Sequence, residues 1–187
     1  ALLLLNDADH TYAKIRFDET SLDTVERRLT EIEDELTRAV IWTALWNLTR
    51  DGELAAVDYV RGVVKHEAYE TNTTLLATAC ANANFAIAHY IADAELEQAR
   101  TDYAEAIWGH LAEAEPASDA QLVLARTAIR ALAATPEESG TERLRALLNG
   151  EVAGLRMDPE IRWSILRALA ARDAITPVSY THLRAHE

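Results

Sequence analysis

Three features of the sequence predict a mainly α-helical fold. Glycine and proline occur only 6 and 4 times in 187 residues, whereas alanine, leucine, glutamate and arginine, all good helix formers, are abundant. From Leu22 onward, apolar residues recur three and four positions apart, which is the helical period. Cap and turn residues divide this pattern into segments. We therefore expect about eight amphipathic helices in antiparallel pairs, forming a curved, HEAT- or armadillo-like α-solenoid stack.

The opening segment, residues 1–18, has a different pattern. A short apolar run and a turn-like stretch come first, and then Ala13, Ile15 and Phe17 alternate with polar residues. Period-two alternation after a turn indicates a β-hairpin. An isolated hairpin is only marginally stable in water, so we expect this one to end a preceding β-sandwich domain. The C-terminal helical domain then covers residues 19–175.

Capping and turn signals predict where the helices begin and end. Thr20 with Asp23 is expected to start the first helix, and the second is expected over about 34–50. A third helix is expected over about 54–67, and a fourth after a cap in residues 71–73. The signals for the later helices are a capping box of Ser118 with Gln121, a stop at Asn149–Gly150, and Asp158 followed by Pro159.

Charge and cysteine content narrow the possible partners and location. The formal net charge is −13, and an acidic surface repels nucleic-acid phosphates and anionic membranes. We therefore expect no nucleic-acid partner and no membrane partner. Cys80 is the one cysteine, so no internal disulfide is possible, which fits a cytoplasmic location. It falls on an apolar helical stripe, and we interpret it as a small buried hydrophobe.

Both ends of the sequence indicate a truncated record. The chain lacks a starting methionine, which suggests that it begins in mid-protein. Residues 178–187 match a translation of the transposon-end adapter used to build sequencing libraries. We therefore assign residues 176–187 to an adapter-derived tail and exclude them from the fold. On this interpretation, the natural continuation of the protein beyond residue 175 is missing.

One segment, residues 66–70, warrants a test as a metal site. A zincin helix needs two histidines four residues apart around a glutamate base. Here His66 and Glu67 are followed by Glu70 instead of a second histidine, and two ligands make a poor zinc site. His89 and His110 lie among alanines and apolar residues, as structural histidines do.

No other local pattern suggests chemistry. Glycines are scattered singly, so no phosphate-binding loop is present, and His10 falls in the predicted turn. Trp42 and Trp46 lie one helical turn apart, and buried aromatic packing is a better explanation for them than ligand binding. We therefore assign no catalytic, cofactor-binding or metal-binding residue.

Three segments together resemble the aminopeptidase N family of zinc metallopeptidases (gluzincins), especially its high-GC bacterial branch. Residues 4–18 resemble the family's asparagine and acidic turn, followed by a tyrosine and an alternating strand that ends in aspartate. Residues 38–54 are similar to the second helix of the family's C-terminal domain. Residues 158–166 are similar to the family's helix start, in which an acidic residue is followed by Leu or Ile and then Arg-Trp. The resemblance covers about residues 2–172.

The resemblance implies a parent enzyme of four domains that removes N-terminal residues from peptides. The family's zinc ligands and glutamate base lie upstream, on an HExxH helix and a later glutamate, and none has a counterpart here. Zinc would therefore belong to the missing catalytic domain. The C-terminal helices would contact the upstream domains, cover the catalytic cleft and be inactive alone.

An alternative is a freestanding helical-repeat scaffold that binds a protein or peptide partner in its concave groove. The predicted hairpin argues against it, because a freestanding scaffold has no use for two orphan strands. A small metal hydrolase built on His66 lacks ligands.

Overall fold

The computed structural model describes residues 1–136 and 138–175 and is mainly helical. The predicted adapter-derived tail lies outside the described residues. The chain divides into two compact units, Ala1–Ile91 and Ala92–Glu187. The described residues contain eight α-helices, as predicted: α1 (Glu19–Arg28), α2 (Glu35–Arg50), α3 (Ala56–His66), α4 (Thr73–His89), α5 (Asp93–Glu113), α6 (Asp119–Ala134), α7 (Glu138–Leu148) and α8 (Pro159–Ala171).

The predicted β-hairpin in residues 1–18 is wrong. This described segment contains no strand and has only a 3-10 turn at Asp7–Asp9. The helix α2, and not a partner strand, covers the alternating segment. Ile15 is buried against α2, whereas its neighbours Lys14 and Arg16 are exposed and form ion pairs. The alternation of apolar and polar residues therefore arises because an extended segment packs one of its sides against a helix. Successive side chains of an extended segment point to opposite sides, so this packing gives the same period of two as a strand in a sheet.

The first helix also begins earlier than predicted. Asp18, and not Thr20, is the N-cap of α1, and its carboxylate accepts a hydrogen bond of 2.8 Å from the backbone N–H of Ser21. The helix ends at Arg28 and a 3-10 turn comes next. Asp34 then caps α2, which confirms the predicted start of the second helix.

Within the first unit, helix α2 is buried on a wide face, because it packs against both α3 and α4. Helices α3 and α4 also pack against each other. Asn72 caps α4 through the backbone N–H groups of Thr74 and Leu75, as the sequence predicts. Tyr59, Ile41 and Leu76 are among the most buried side chains of this unit.

Within the second unit, α6 lies at the centre and packs against α5, α7 and α8. The predicted caps are present, since Ser118 Oγ accepts from the Gln121 N–H at 3.0 Å and Asp158 accepts from the Ile161 N–H at 2.7 Å. Gln121 also ties two loops together, because its side chain accepts from the Ala117 N–H and donates to the Ala153 carbonyl.

Candidate functional site

The segment tested as a metal site does not form one ligand set. Helix α3 ends at His66, a 3-10 turn covers Glu67–Tyr69, and Glu70 comes directly after it. His66 contacts the backbone carbonyl of Glu26. The Glu67 carboxylate accepts from the thiol of Cys80 at 3.3 Å, whereas Glu70 binds an arginine. Each of the three candidate side chains is therefore engaged with a different part of the unit.

Glu70 forms a buried ion pair with Arg38 of α2. The two side chains are 4% and 9% exposed, and their closest N–O distance is 2.9 Å. A second bond of 3.0 Å joins Arg38 Nε to the other carboxylate oxygen, so the pair is bidentate. Arg38 Nη1 also donates to the carbonyls of Ile32 and Glu33. Local spacing gives no signal for this pair, because its members are 32 residues apart.

The imidazole of His66 is held in a defined tautomer. Its Nε2 lies 2.7 Å from the Glu26 carbonyl oxygen, and a carbonyl can only accept, so Nε2 carries the hydrogen. Burial lowers the pKa of His66, the bond to the Glu26 carbonyl opposes this shift, and the positive charge of Lys65 adds to it. The neutral ring therefore has an unprotonated Nδ1.

The other histidines of the described region are His10, His89 and His110. His10 and His89 are exposed and His110 is half-buried. The ring of His89 contacts the ring of Phe85 in a tilted arrangement, with a centroid distance of 4.4 Å. Across residues 1–136 and 138–175, no three His, Cys, Asp or Glu side chains are grouped to hold a metal ion. Cys80 is buried, as predicted.

Trp42 and Trp46 pack among aromatic rings. Trp42 is buried and meets Tyr59 edge to face, with ring centroids 6.1 Å apart. Trp46 contacts the rings of Tyr59, Phe85 and Tyr90. No local sequence pattern distinguishes Tyr59, although it is one of the most buried side chains.

The described part of the chain contains no helix that is long and apolar enough to span a membrane.

Comparison with known proteins decides the family. The model of the ERAP1-like C-terminal domain matches residues 2–183. The chain belongs to the ERAP1-like C-terminal domain family. It is also 40% identical over 173 residues to the protein named Aminopeptidase N of Streptomyces lividans, an alignment that covers 91% of this chain. The expected resemblance to aminopeptidase N enzymes is thus confirmed.

The chain spans about a fifth of the length of that relative, since the alignment covers 20% of the Streptomyces protein. The match to the ERAP1-like C-terminal domain family reaches residue 183 and so includes part of the predicted adapter-derived tail. The assignment of that tail stays a prediction.

Proposed function

We propose that this chain is the C-terminal, cleft-closing domain of a zinc-dependent aminopeptidase that removes N-terminal residues from peptides. The supporting observation is the 40% identity to a protein named Aminopeptidase N across nearly the whole chain. In this proposal the zinc and the glutamate base belong to the catalytic domain of the parent. The engaged state of His66, Glu67 and Glu70 is consistent with that division.

The domain boundaries that we propose are residues 1–18 for the end of a preceding domain and 19–175 for the helical domain. Exposed apolar side chains in and near the first segment support a neighbour there. Leu3 and Leu5 are 63% and 57% exposed, and Leu36 of α2 is 45% exposed. Covering these leucines would remove apolar area from water, which favours docking onto the upstream domain.

The helices are proposed to form a curved stack of antiparallel pairs over the catalytic cleft. Packing of consecutive helices supports this arrangement, since α3 lies on α4, α5 on α6, and α7 on α8. A cover over the cleft acts on the part of a peptide that protrudes from the active site. Binding energy from that remote contact is used to position the scissile bond, so it raises kcat/KM for long substrates. A covered cleft also excludes water and so strengthens transition-state electrostatics for every substrate.

The test compares a complete aminopeptidase with and without the segment that corresponds to residues 19–175. We expect the deletion to lower kcat/KM for all substrates, with a larger loss for lengthening peptides than for a single aminoacyl amide. Zinc content and melting temperature of both proteins establish that the catalytic domain stays folded. A matched control changes the surface pair of Asp23 and Arg27, and it should leave both activities unchanged. A folded deletion with full activity on both substrate classes contradicts the proposal and favours a docking role for the domain.

A further inference from the structure

A cavity in the first unit is surrounded by α1, α2 and α3 and has a volume of about 270 Å³. Its lining combines apolar side chains with two acidic and two basic ones, namely Glu26, Asp58, Arg61 and Lys65. Three of its lining side chains have a buried polar atom without a hydrogen-bond partner, namely Trp42, Tyr59 and His66. Among the described residues only one other side chain, Arg100, has such an atom, so these unpaired atoms are concentrated at this cavity.

The unpaired atom of Trp42 is its indole Nε1. An indole N–H is a donor and has no acceptor capacity. The side chain is 6% exposed, so water does not readily compensate the missing bond. A buried donor without a partner is costly, and it gains free energy when an acceptor reaches it. The Trp42 position therefore calls for an acceptor.

The unpaired atom of His66 has the opposite requirement. Because Nε2 donates to the Glu26 carbonyl at 2.7 Å, the neutral ring presents a lone pair at Nδ1, which has no partner. The residue is 5% exposed. The His66 position therefore calls for a donor. A second cavity of about 280 Å³ is also lined by Trp42 and His66, so both side chains belong to two adjoining cavities.

The hydroxyl of Tyr59 adds a third polar group, which can donate or accept. It is 2% exposed, and burial raises the pKa of this phenol far above its ordinary value. The neighbouring Asn82 amide offsets part of that rise, but its geometry falls short of a hydrogen bond. The phenol stays neutral, so its hydroxyl can donate to an acceptor atom of a ligand or accept from a donor atom.

We propose that this cavity is a binding site for a small, neutral, partly apolar molecule whose polar end carries both an acceptor and a donor, as a primary carboxamide does. The carbonyl of such a group accepts from Trp42, and its N–H donates to His66. A carboxylate fits poorly, because it brings no hydrogen to the lone pair of His66. A hydrocarbon leaves all three polar atoms unpaired. Because these atoms are shielded from solvent, binding includes a rotamer change in the wall.

The experiment titrates the full chain with three probes of similar shape, namely benzamide, benzoate and toluene. Nitrogen-15 NMR monitors the indole Nε1 of Trp42 and the ring nitrogens of His66. We expect saturable binding of benzamide with shifts at Trp42 Nε1 and His66 Nδ1. Benzoate and toluene should bind about tenfold more weakly or not at all, since each lacks hydrogen bonds that benzamide makes.

Two variants locate the site. Trp42→Phe keeps an aromatic ring and deletes the donor, and Tyr59→Phe deletes only the hydroxyl, so each should weaken benzamide binding severalfold. Trp108→Phe, a matched change in the second unit, should leave the affinity unchanged. Absence of benzamide binding overturns the proposal, and so does equal binding of toluene or equal affinity in Trp42→Phe. If Trp42→Phe does not fold, the three-probe comparison on the unmodified chain and the Tyr59→Phe variant still decide the question.

Discussion

The ion pair of Arg38 and Glu70 connects three parts of the first unit. Arg38 lies on α2, its guanidinium binds the carbonyls of Ile32 and Glu33 before that helix, and Glu70 precedes the cap of α4. The Glu70 carboxylate also accepts from the backbone N–H of Asn72. One buried carboxylate therefore holds the start of α4 against the start of α2.

Replacement of Glu70 by alanine should destabilise the chain strongly. Glu70→Ala leaves the buried charge of Arg38 without its partner, and breaking such a pair costs about 3–5 kcal/mol. The measurement is the free energy of unfolding in urea. Asp23→Ala breaks the exposed pair with Arg27 and serves as the matched control, with an expected loss below about 1 kcal/mol. Equal small losses of unfolding free energy in both variants would contradict this expectation, because they would show that water hydrates the unpaired guanidinium of Arg38.

His66 should make stability depend on pH in a defined window. The folded state lowers the pKa of His66, chiefly by burial, whereas the unfolded chain has an ordinary value of about 6.5. Below that value the unfolded state binds more protons, so the free energy of unfolding falls as pH decreases and is constant above it. Glu26 and Lys65 are the charged neighbours that act on the ring, with opposite signs.

The measurement compares His66→Gln with the parent chain in urea from about pH 7.5 to about pH 5.5. The parent should lose on the order of 1 kcal/mol more than the variant over this range. His89→Gln, a change at an exposed histidine, is the control for the exchange of a histidine for glutamine. Identical slopes in all three proteins would mean that the pKa of His66 is not lowered.

At the scale of elements, local chemistry predicts the helices better than it predicts their partners. Asn72, Ser118 and Asp158 are each identifiable from a cap side chain and the residues after it, and each accepts the expected backbone bond. A cap needs only its own helix. The N-terminal segment resembles a strand because its alternating pattern indicates that one side is buried. The pattern does not indicate which element covers that side. In the structure, Ile15 packs against α2.

The same distinction explains why the sequence does not predict the cavity. Trp42 stands out only by its spacing to Trp46, and His66 only by a partial metal motif, while no pattern marks Tyr59. Their shared role depends on how α2 and α3 pack beside α1, and no local pattern encodes that arrangement. Sequence periodicity identifies which side chains are buried, whereas the unpaired state of their polar atoms is a property of the packed unit.

A loop contact in the second unit should be sensitive to a single added carbon. Gly154 has a φ of +78°, and a Cβ there would clash with Pro116 Cβ. Gly154→Ala is therefore both strained and clashing, and we expect a loss of more than about 1 kcal/mol in thermal or urea unfolding. Gly109→Ala is the matched control, because that helical glycine has open space around it. Gly109→Ala should raise the free energy of unfolding by about 0.5–1 kcal/mol. A comparable increase in Gly154→Ala would contradict the loop packing.

At the scale of the whole molecule, the chain is expected to bind no zinc tightly and to cleave no aminoacyl amide when isolated. A tight site needs at least three converging ligands, and the described residues contain no such group. Recruiting Glu70 as a ligand would also break the buried pair with Arg38. The free energy of zinc binding would have to exceed the cost of that loss, which is about 3–5 kcal/mol.

Equilibrium dialysis of the chain against zinc tests this expectation, and hydrolysis of a leucine amide substrate is measured in the same zinc-containing buffer. Weak, nonstoichiometric zinc uptake that is the same in the parent and in His66→Ala supports it, as does hydrolysis no faster than in buffer. One tight zinc per chain that is lost in His66→Ala would contradict it. That outcome would require residues 66–70 to rearrange around the metal, and the loss of the Arg38 pair would then appear as lower stability at saturating zinc than binding alone predicts. Stability measured with and without zinc therefore separates a rearranged site from a preformed one.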